Sequence, residues 1–398
     1  MSARIAVVGA GIFGVTAAIE LRARGHHVRL FDPGPLPHPL AASTDVSKAI
    51  RADYGPDVAY TALMERALDG WRAWNEAWRR SGRAPLFHET GVTYLTRHAM
   101  APSEFEHDSY DVLRSRGHRL ERLDAAAIHA RFPAWNADRF VDGYYNPHGG
   151  FAESGAVVAR LLEDAVARGV EVHEGVSFAA LRHAPGDEQR VTGFVAQSGD
   201  VVDADVVIVA LGAWTARALP KLAGELRTLG QPVFHLRPDV PARFEAPRFP
   251  PFGADIAATG YYGFPLQAGV VKIARHGPGR AMDPSDLAAR VVLPEEERHL
   301  RAFLREAFPE LAAAPIALAR ICVYCDTNDE HFWIARDPAH AGLVVATGGS
   351  GHAFKFAPIL GALIADAVEG GPNPALVKFR WRQGVRPERG EEAARNRG

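Results

Sequence analysis

The feature that most constrains this chain is a glycine-rich turn near its start. Residues 4–8 form a short, mostly apolar strand-like run, residues 9–14 read Gly-Ala-Gly-Ile-Phe-Gly, and residues 15–24 have helical character. In such a turn the first glycine permits a tight bend, the second lets the main chain approach a pyrophosphate, and the third lets helix and strand pack closely. The three roles fall, in order, on Gly9, Gly11 and Gly14.

A second strand-like run over residues 28–31 ends in Asp32. An acidic side chain about 20 residues beyond the glycines can accept hydrogen bonds from the two hydroxyls of an adenosine ribose. Because strand, turn, helix and acid are all present, the sequence predicts a dinucleotide site on a parallel α/β sheet. The motif does not separate FAD from NAD, and both stay open at this point.

Chain length, hydrophobic content and net charge favour two hydrophobic cores and small-molecule partners. A chain of 398 residues with 47% hydrophobic content exceeds the size of one ordinary core. A net charge of −2 gives no electrostatic case for nucleic acid or an anionic membrane as partner. We find neither a leader pattern nor an apolar run of about 20 residues, so we expect a cytoplasmic protein without a membrane partner. Two cysteines rule out a disulfide framework.

Further α/β character follows in the middle of the chain. Residues 153–168 predict a helix, residues 170–173 predict a strand with a further segment near Val176, and residues 201–211 form a nearly continuous β-branched run. That run predicts a buried parallel strand. Its end, at Gly212 and Trp214, is a second candidate contact with the dinucleotide, since ligands lie at the carboxyl ends of such strands. A plain tight turn would give the same pattern.

Residues 231–319 differ in texture, with many prolines, aromatics and short alternating segments, which predicts an inserted antiparallel sheet domain. Lys272 lies between apolar residues there. It is either a buried cation, which needs a partner, or an edge-strand lysine that discourages aggregation. Lys48 and Arg51, three residues apart, could equally belong to a solvated helix face.

Cys322 and Cys325 form a C-x-x-C pair, which suggests a redox dithiol or half of a zinc site. We expect neither, because no second pair and no H-x-x-H spacing accompany it. On a strand, positions three apart point to opposite faces, so one cysteine alone can face a ligand. Glycine-rich residues 348–352 then lead into a predicted helix over residues 357–367, whose N-terminus can stabilise a polarised ring oxygen.

These motifs resemble the monomeric sarcosine oxidase family of FAD-dependent amine oxidases, a branch of the D-amino-acid-oxidase-like flavoproteins, over nearly the whole chain. The specific matches are Lys-Ala-Ile-Arg at 48–51 with Tyr-Gly at 54–55, Tyr-Gly-Phe-Pro at 262–265, Cys-x-Tyr at 322–324, Asp-Glu-His-Phe at 329–332 and Ser-Gly-His-x-Phe-Lys-Phe at 350–356. The resemblance implies an α/β fold with a Rossmann-type FAD-binding domain and an inserted, mainly antiparallel β-sheet substrate domain. It places the FAD domain at residues 1–86, 150–218 and 318–385, the substrate domain at 87–149 and 219–317, and a flexible tail at 386–398.

The resemblance also implies roles for single residues. Cys322 carries the flavin through a thioether, Arg51 and Lys355 hold the substrate carboxylate, Lys272 promotes reaction with oxygen, and Tyr262 and His276 lie at the substrate. The expected FAD-binding residues are Gly9, Gly11, Gly14, Asp32, Ser43, Ser47, Lys48, Val176, Gly212, Trp214, Cys322, Gly349, Gly351, His352 and Lys355.

The activity implied is oxidation of a secondary amine or an amino or imino acid to an imine by a monomer, with O2 reduced to H2O2. Lys48 stands where the sarcosine oxidases carry a second arginine, and residues 45–51 with Cys325 and Asp326 resemble the fructosyl amino acid oxidases, so deglycation is an alternative. A dehydrogenase with another electron acceptor is a further alternative, which Lys272 disfavours. A flavin-binding module without activity would not need Lys272, His276 and Lys355 together.

Overall fold

A computed structural model of the chain describes residues 2–385 and 394–397. The chain divides into two compact units, each assembled from three separate stretches. The first unit comprises Met1–Val46, Ser154–Leu229 and Val323–Glu391, and the second comprises Ser47–Glu153, Gly230–Cys322 and Glu392–Gly398.

The strands in the described part of the chain are β1 (Arg4–Val8), β2 (His27–Asp32), β3 (Lys48–Arg51), β4 (Phe87–His88), β5 (Val92–Thr96), β6 (Glu121–Asp124), β7 (Asp142–Asn146), β8 (Gly149–Ala152), β9 (Glu171–Glu174), β10 (Phe178–Ala184), β11 (Asp187–Ala196), β12 (Val201–Asp203), β13 (Val206–Val209), β14 (Leu226–Leu236), β15 (Phe252–Ala254), β16 (Tyr261–Gln267), β17 (Val270–Arg275), β18 (Arg280–Ala281), β19 (Ile316–Thr327), β20 (Trp333–Arg336) and β21 (Leu343–Thr347). The α-helices are α1 (Ile12–Ala23), α2 (Val58–Arg80), α3 (Phe105–Ser115), α4 (Ala125–Arg131), α5 (Ser154–Ala167), α6 (Thr215–Ala218), α7 (Ile256–Thr259), α8 (Pro294–Ala307), α9 (Ala357–Glu369) and α10 (Leu376–Phe379). Short 3-10 helices cover Gly212–Trp214, Pro220–Leu222, Pro241–Arg243, Pro309–Leu311 and Phe354–Phe356.

The first unit is built on a sheet of strand order β20-β21-β13-β1-β2-β9. All of its pairs are parallel except β20 with β21. Helix α1 packs against α5 and α9. Helix and strand approach so closely at the first turn that a Cβ atom on Gly14 would lie 1.8 Å from the carbonyl oxygen of Gly9. This is the Rossmann-type arrangement that the glycine pattern predicts.

The run at residues 201–211 is not one strand. Strand β12 pairs with β11 in a separate antiparallel sheet, whereas β13 pairs with β1 and β21 in the parallel sheet. The two strands separate at Ala204, which is buried and donates its N–H to Thr192. The nearly continuous β-branched run, predicted as one strand, therefore contains two strands of different sheets.

The second unit contains a large sheet of order β18-β14-β17-β16-β15-β5-β7-β6, with β19 also paired to β14. From β14 to β6 along this order the pairs are antiparallel, apart from β15 with β5, which is parallel. Aromatic rings fill the core beside it: the ring centroid of Trp135 lies 4.5 Å from that of Phe308 and 5.0 Å from that of Phe252. A smaller antiparallel sheet has the order β3-β8-β4.

The predicted boundaries differ from this division mainly at residues 47–86, which were expected in the FAD domain. Strand β3 pairs with β8, and α2 packs on β3 and β4, so these residues belong to the second unit. Smaller differences place residues 219–229 in the first unit and residues 150–153 and 318–322 in the second. Residues 142–151 contain β7 and most of β8.

The flexible tail predicted for residues 386–398 lies in part outside the described residues, at 386–393 and 398. Residues 394–397 are described, and three of them are buried, which corrects the expectation for this part. Among the described residues, no helix combines the length and the apolar character needed to cross a membrane.

Candidate active site

The glycine turn of the first unit shapes a surface made of main chain. Gly9 has φ +102°, and a Cβ atom there would lie 2.5 Å from the carbonyl oxygen of Ala210. Gly11 precedes α1, and its missing Cβ would point to within 3.4 Å of Ser43 Oγ. A side chain at Gly9 or Gly11 would fill the space beside the N-terminus of α1, next to Ala210 and Ser43. A helix N-terminus bared in this way can bind a pyrophosphate.

Asp32 ends β2 at the carboxyl edge of the parallel sheet and is buried. Its Oδ2 accepts a hydrogen bond from Ala10 N at 2.8 Å, and its Oδ1 accepts one from Gly34 N at 2.9 Å. Two main-chain donors thus fix the carboxylate beside the glycine turn. Each oxygen keeps a lone pair with which it can accept a ribose hydroxyl.

A second glycine loop lies next to the first. Gly349 follows β21, and its missing Cβ would lie 3.4 Å from the ring of Phe13 on α1. Gly351 has φ +75° and would place a Cβ atom 2.3 Å from the ring of Tyr324. The structure therefore brings the glycines at 9–14 and those at 348–351 to one edge of the sheet.

The remaining predicted FAD residues of the first unit surround this edge. Val176 donates its N–H to Asp32 O at 3.1 Å. Gly212 has φ +53° with no atom within 4 Å of its missing Cβ, and Trp214 packs edge-on against His38 at 5.8 Å between ring centroids.

His352 and Lys355 are buried in the turn that leads into α9. His352 Nε2 lies 3.0 Å from Glu330 O, and its ring centroid is 4.8 Å from that of Phe332. Lys355 Nζ donates to His352 O at 3.1 Å. A carbonyl oxygen orients the lysine ammonium group without neutralising its charge.

The two cysteines lie three residues apart on β19, and both are buried. Cys325 belongs to the apolar core of the first unit with Trp333, and its Sγ lies 3.5 Å from Thr347 Oγ1. Burial raises the pKa of the Cys325 thiol to about 11, so it is un-ionised at neutral pH. Cys322 is also buried and ends the second unit's share of β19.

In the second unit, Arg51 lies on a strand rather than on a solvated helix face. Strand β3 buries it, and its guanidinium carbon lies 5.1, 5.6 and 5.9 Å from the ring centroids of Tyr54, Phe105 and Tyr94. Its Nη1 donates to the carbonyl oxygen of Asp53. Three aromatic rings therefore shield the guanidinium from water. Its electrostatic interactions are stronger in such a water-excluded environment.

Asp53 is a buried acid beside this cation that the sequence interpretation missed. Its Oδ1 accepts a hydrogen bond from Tyr144 Oη at 2.7 Å. Burial raises the pKa of the Asp53 carboxyl, while Tyr144 and the charge of Arg51 oppose that rise. A signal was present, because Arg51 and Asp53 are two apart and side chains two apart on an extended chain share a face.

Lys272 lies on an inner strand and is 1% exposed. Strand β17 is paired on both sides, with β14 and with β16, which excludes the edge-strand interpretation. Its Nζ donates to Ser47 O at 2.5 Å and lies 4.7 Å from the ring centroid of Phe264. His235 on the neighbouring strand β14 is its pairing partner. The structure thus brings two predicted residues, Lys272 and Ser47, into contact.

Ser47 itself is fully buried, and its Oγ has no hydrogen-bond partner among the described residues. Lys48, next in sequence, begins β3 and is half-buried. A buried hydroxyl of this kind fits a polar ligand, because burying a hydroxyl without a partner is costly.

Tyr262 and His276 lie on the adjoining strands. Tyr262 pairs with Ala274 across β16 and β17 and is half-buried, whereas Tyr261 stacks on Phe303 in the core at 4.1 Å. The core environment raises the pKa of Tyr261 to about 12. His276 is buried and donates its main-chain N–H to Gly260 O at 2.7 Å. Tyr261 is therefore a packing residue, whereas Tyr262 is only half-buried.

The residues of the first unit fit a flavin dinucleotide, with bare main chain at the glycine turn and a fixed carboxylate at Asp32. Residues 4–367 match the family described as FAD dependent oxidoreductase (DAO), and the chain belongs to that family. The expected fold class and the resemblance are confirmed, and FAD is the cofactor of the family.

Two relatives show where in the family the chain lies. It is 28% identical to the monomeric sarcosine oxidase of Bacillus sp. (strain B-0618), over 91% of this chain and 90% of that one. It is 29% identical to the N-methyl-L-tryptophan oxidase of Escherichia coli O81 (strain ED1a), over 90% and 93%. The fold is similar to that of fructosamine oxidase (Amadoriase II) from Aspergillus fumigatus, with a TM-score of 0.82 at 24% identity over 100% and 94% of the two chains.

Proposed function

We propose that this chain is an FAD-dependent amine oxidase that converts the secondary amine of an amino or imino acid to an imine, with O2 as the electron acceptor. The family and the two oxidases that it resembles support the reaction class. The observation that carries the proposal is Lys272, a buried lysine on an inner strand whose ammonium group is oriented by Ser47 O. A fixed cation of this kind can stabilise negative charge that develops on reduced oxygen.

Bound FAD supplies the two-electron chemistry: the amine loses two electrons and two protons to become the imine, and O2 gains them to become H2O2. Water then hydrolyses the released imine. The chain's own residues contribute binding, orientation and charge. We propose that Cys322 holds the cofactor through a thioether, because Cys325 is an un-ionised core residue.

We propose that Arg51 and Lys355 bind the substrate carboxylate. Both side chains are buried, and their geometries are complementary, because arginine offers a planar fork of donors and lysine a point charge. Removing one member of a charged, hydrogen-bonded pair costs about 2–5 kcal/mol. At 1.4 kcal/mol per decade this is roughly 30-fold to several thousand-fold in affinity.

A peroxide-coupled assay tests the reaction. The substrates are sarcosine, N-methyl-L-tryptophan, a cyclic imino acid and a fructosyl amino acid, which separates simple amine oxidation from deglycation. Lys355→Met should weaken binding of a small carboxylate, followed through flavin absorbance, and leave a neutral amine nearly unaffected. Lys221→Met, a lysine paired with Asp337 in the first unit, is the control. Imine formation with an artificial acceptor but without peroxide in air would point to a dehydrogenase.

A denaturation experiment tests the thioether. Yellow colour should stay with the protein after acid precipitation in wild type and Cys325→Ala, and be lost in Cys322→Ala. The reverse result would overturn the assignment. The monomeric state and cytoplasmic location stay proposals, which sedimentation and cell fractionation would test.

A further inference from the structure

Residues 394–397 pack into the second unit beside its predicted substrate residues. We infer that this segment forms one wall of the substrate site and that Asn396 is a specificity-determining residue, which limits the size of the amine accepted. The inference rests on the proposed amine oxidation, and its test is arranged so that the two can fail separately.

Asn396 uses its main-chain N–H and both ends of its side-chain amide. Its N–H donates to His276 O at 3.0 Å, and its Nδ2 donates to Ala258 O at 2.8 Å and Ala257 O at 3.0 Å. Its Oδ1 accepts from Arg275 Nη2 at 3.0 Å. The side chain is buried. Asn396 therefore fastens the end of β17, at His276, to the end of helix α7.

Arg395 adds a second attachment one residue away. Its Nη1 donates to Gly277 O at 3.2 Å, and Gln231 Nε2 donates to the same oxygen at 2.8 Å. Arg395 is 5% exposed. The turn that follows the predicted substrate histidine is thus held from two sides, by β14 and by residues 394–397.

Ala394 connects the segment with the aromatic rings around Arg51. It is fully buried in a cluster that contains Tyr94, Phe105 and Tyr144, with Tyr262 packed against the cluster. The guanidinium of Arg51 lies over two of these rings, Tyr94 and Phe105. The segment therefore packs with residues that belong to three predicted substrate contacts, at Arg51, Tyr262 and His276.

The packing leaves little freedom at this wall. A Cβ atom added at Gly260 would lie 3.0 Å from Asn396 Cβ and 3.0 Å from Arg275 Cγ. A rigid wall discriminates by volume, because a group too large for the space cannot be accommodated by a shift of main chain. Truncation of Asn396 removes both the volume and the bonds that hold the end of β17.

The test compares Asn396→Ala with Asn136→Ala. Asn136 lies in the same unit and donates its Nδ2 to Glu306 O at 3.0 Å, so it loses a similar bond elsewhere. Both variants should melt at a lower temperature with an unchanged flavin spectrum. The ratio of kcat/KM for N-methyl-L-tryptophan to that for sarcosine should rise roughly tenfold or more in Asn396→Ala alone, the size expected for a methylene-scale change in a pocket. An unchanged ratio would overturn the inference.

A second variant with a smaller structural effect covers the case in which Asn396→Ala does not fold. Arg395→Met removes one donor to Gly277 O while Gln231 still donates to it, and the same ratio should move in the same direction. If wild type oxidises no amine, the proposed function fails. The inference about residues 394–397 is then tested by binding. The relative affinities of acetate and indole-3-acetate, measured through flavin absorbance, should still change in Asn396→Ala. Unchanged relative affinities would reject the inference.

Discussion

The two units build their candidate sites from different material. In the first unit the surface is main chain: Gly9 and Gly14 leave no room for a side chain, and two N–H groups fix Asp32. In the second unit the candidate site consists of buried charged side chains: three rings enclose Arg51, and a carbonyl oxygen orients Lys272. The first kind of site fails through steric overlap and the second through altered electrostatics. A substitution should therefore have a different signature in each unit.

The largest effect is expected for Gly14→Ala, which tests the main-chain site. The new Cβ would lie 1.8 Å from Gly9 O, which is main chain and cannot rotate away. We expect loss of bound FAD and a loss of about 3 kcal/mol of stability, the upper end of the usual overpacking cost, because the contacting atom is main chain. Flavin content of purified protein and thermal melting measure both. Gly224→Ala, where the added Cβ meets nothing within 4 Å, should change neither; full FAD content in Gly14→Ala would contradict the steric account.

The second effect tests the buried charge. Lys272→Met keeps the length of the side chain and removes the ammonium group, so the fold should persist while reoxidation by O2 slows roughly 10²–10³-fold, as for loss of one preorganised electrostatic group. Reduction by substrate should change much less. Stopped-flow absorbance separates the two half-reactions. Equal slowing of both would mean that Lys272 acts in binding.

The third effect concerns Glu106, a buried acid of the second unit whose Oε1 accepts from Ile256 N at 2.8 Å. Burial raises the pKa of Glu106 from 4.5 to about 7. The native state therefore holds this proton more tightly than the unfolded state does. The stability that results is complete below pH 4.5 and is lost as the pH rises to about 7, a change of about 3 kcal/mol.

Glu106→Gln should remove this dependence. Urea unfolding at pH 5 and pH 8 should show that the variant gains stability relative to wild type at the higher pH. Asp138→Asn, an exposed acid of the same unit, is the control. A constant difference between wild type and Glu106→Gln across this range would show that burial does not govern the carboxyl group.

The smallest effect is expected for Cys325→Ser. The hydroxyl can keep the contact with Thr347 Oγ1, now 3.5 Å from Sγ, so we expect a loss of about 1 kcal/mol. Attached flavin should be unchanged, because a thiol with a raised pKa of about 11 is a poor nucleophile. Loss of attached flavin would transfer the role proposed for Cys322 to this residue.

The same contrast explains what the sequence could predict. The glycine turn and Asp32 lie within one βαβ unit, so their spacing is a local pattern. The burial of Arg51 depends on Tyr94 and Phe105, and the inner position of Lys272 depends on a partner strand that begins at Leu226. Such contacts join residues far apart in the chain, so a local sequence pattern does not predict them. The resemblance to a family suggested roles for these cations, whereas local reasoning alone left open whether each is buried or on the surface.

Asp53 and Asn396 were missed for the same reason. Asp53 is one polar residue in a polar stretch until Tyr144 is brought to it, and Asn396 lies in a charged region without an apolar period. The break at Ala204 was missed because β-branched residues favour strands in either kind of sheet.

The interleaving of the two units has a consequence for synthesis on the ribosome. Strand β1 takes its partners β2 and β13 from positions up to Val209, and β13 in turn pairs with β21, which ends at Thr347. At about 5–20 residues per second, the glycine turn emerges roughly ten seconds or more before β13, with residues of the other unit made in between. The cofactor-binding edge is therefore finished late in translation, although its glycine turn is made much earlier.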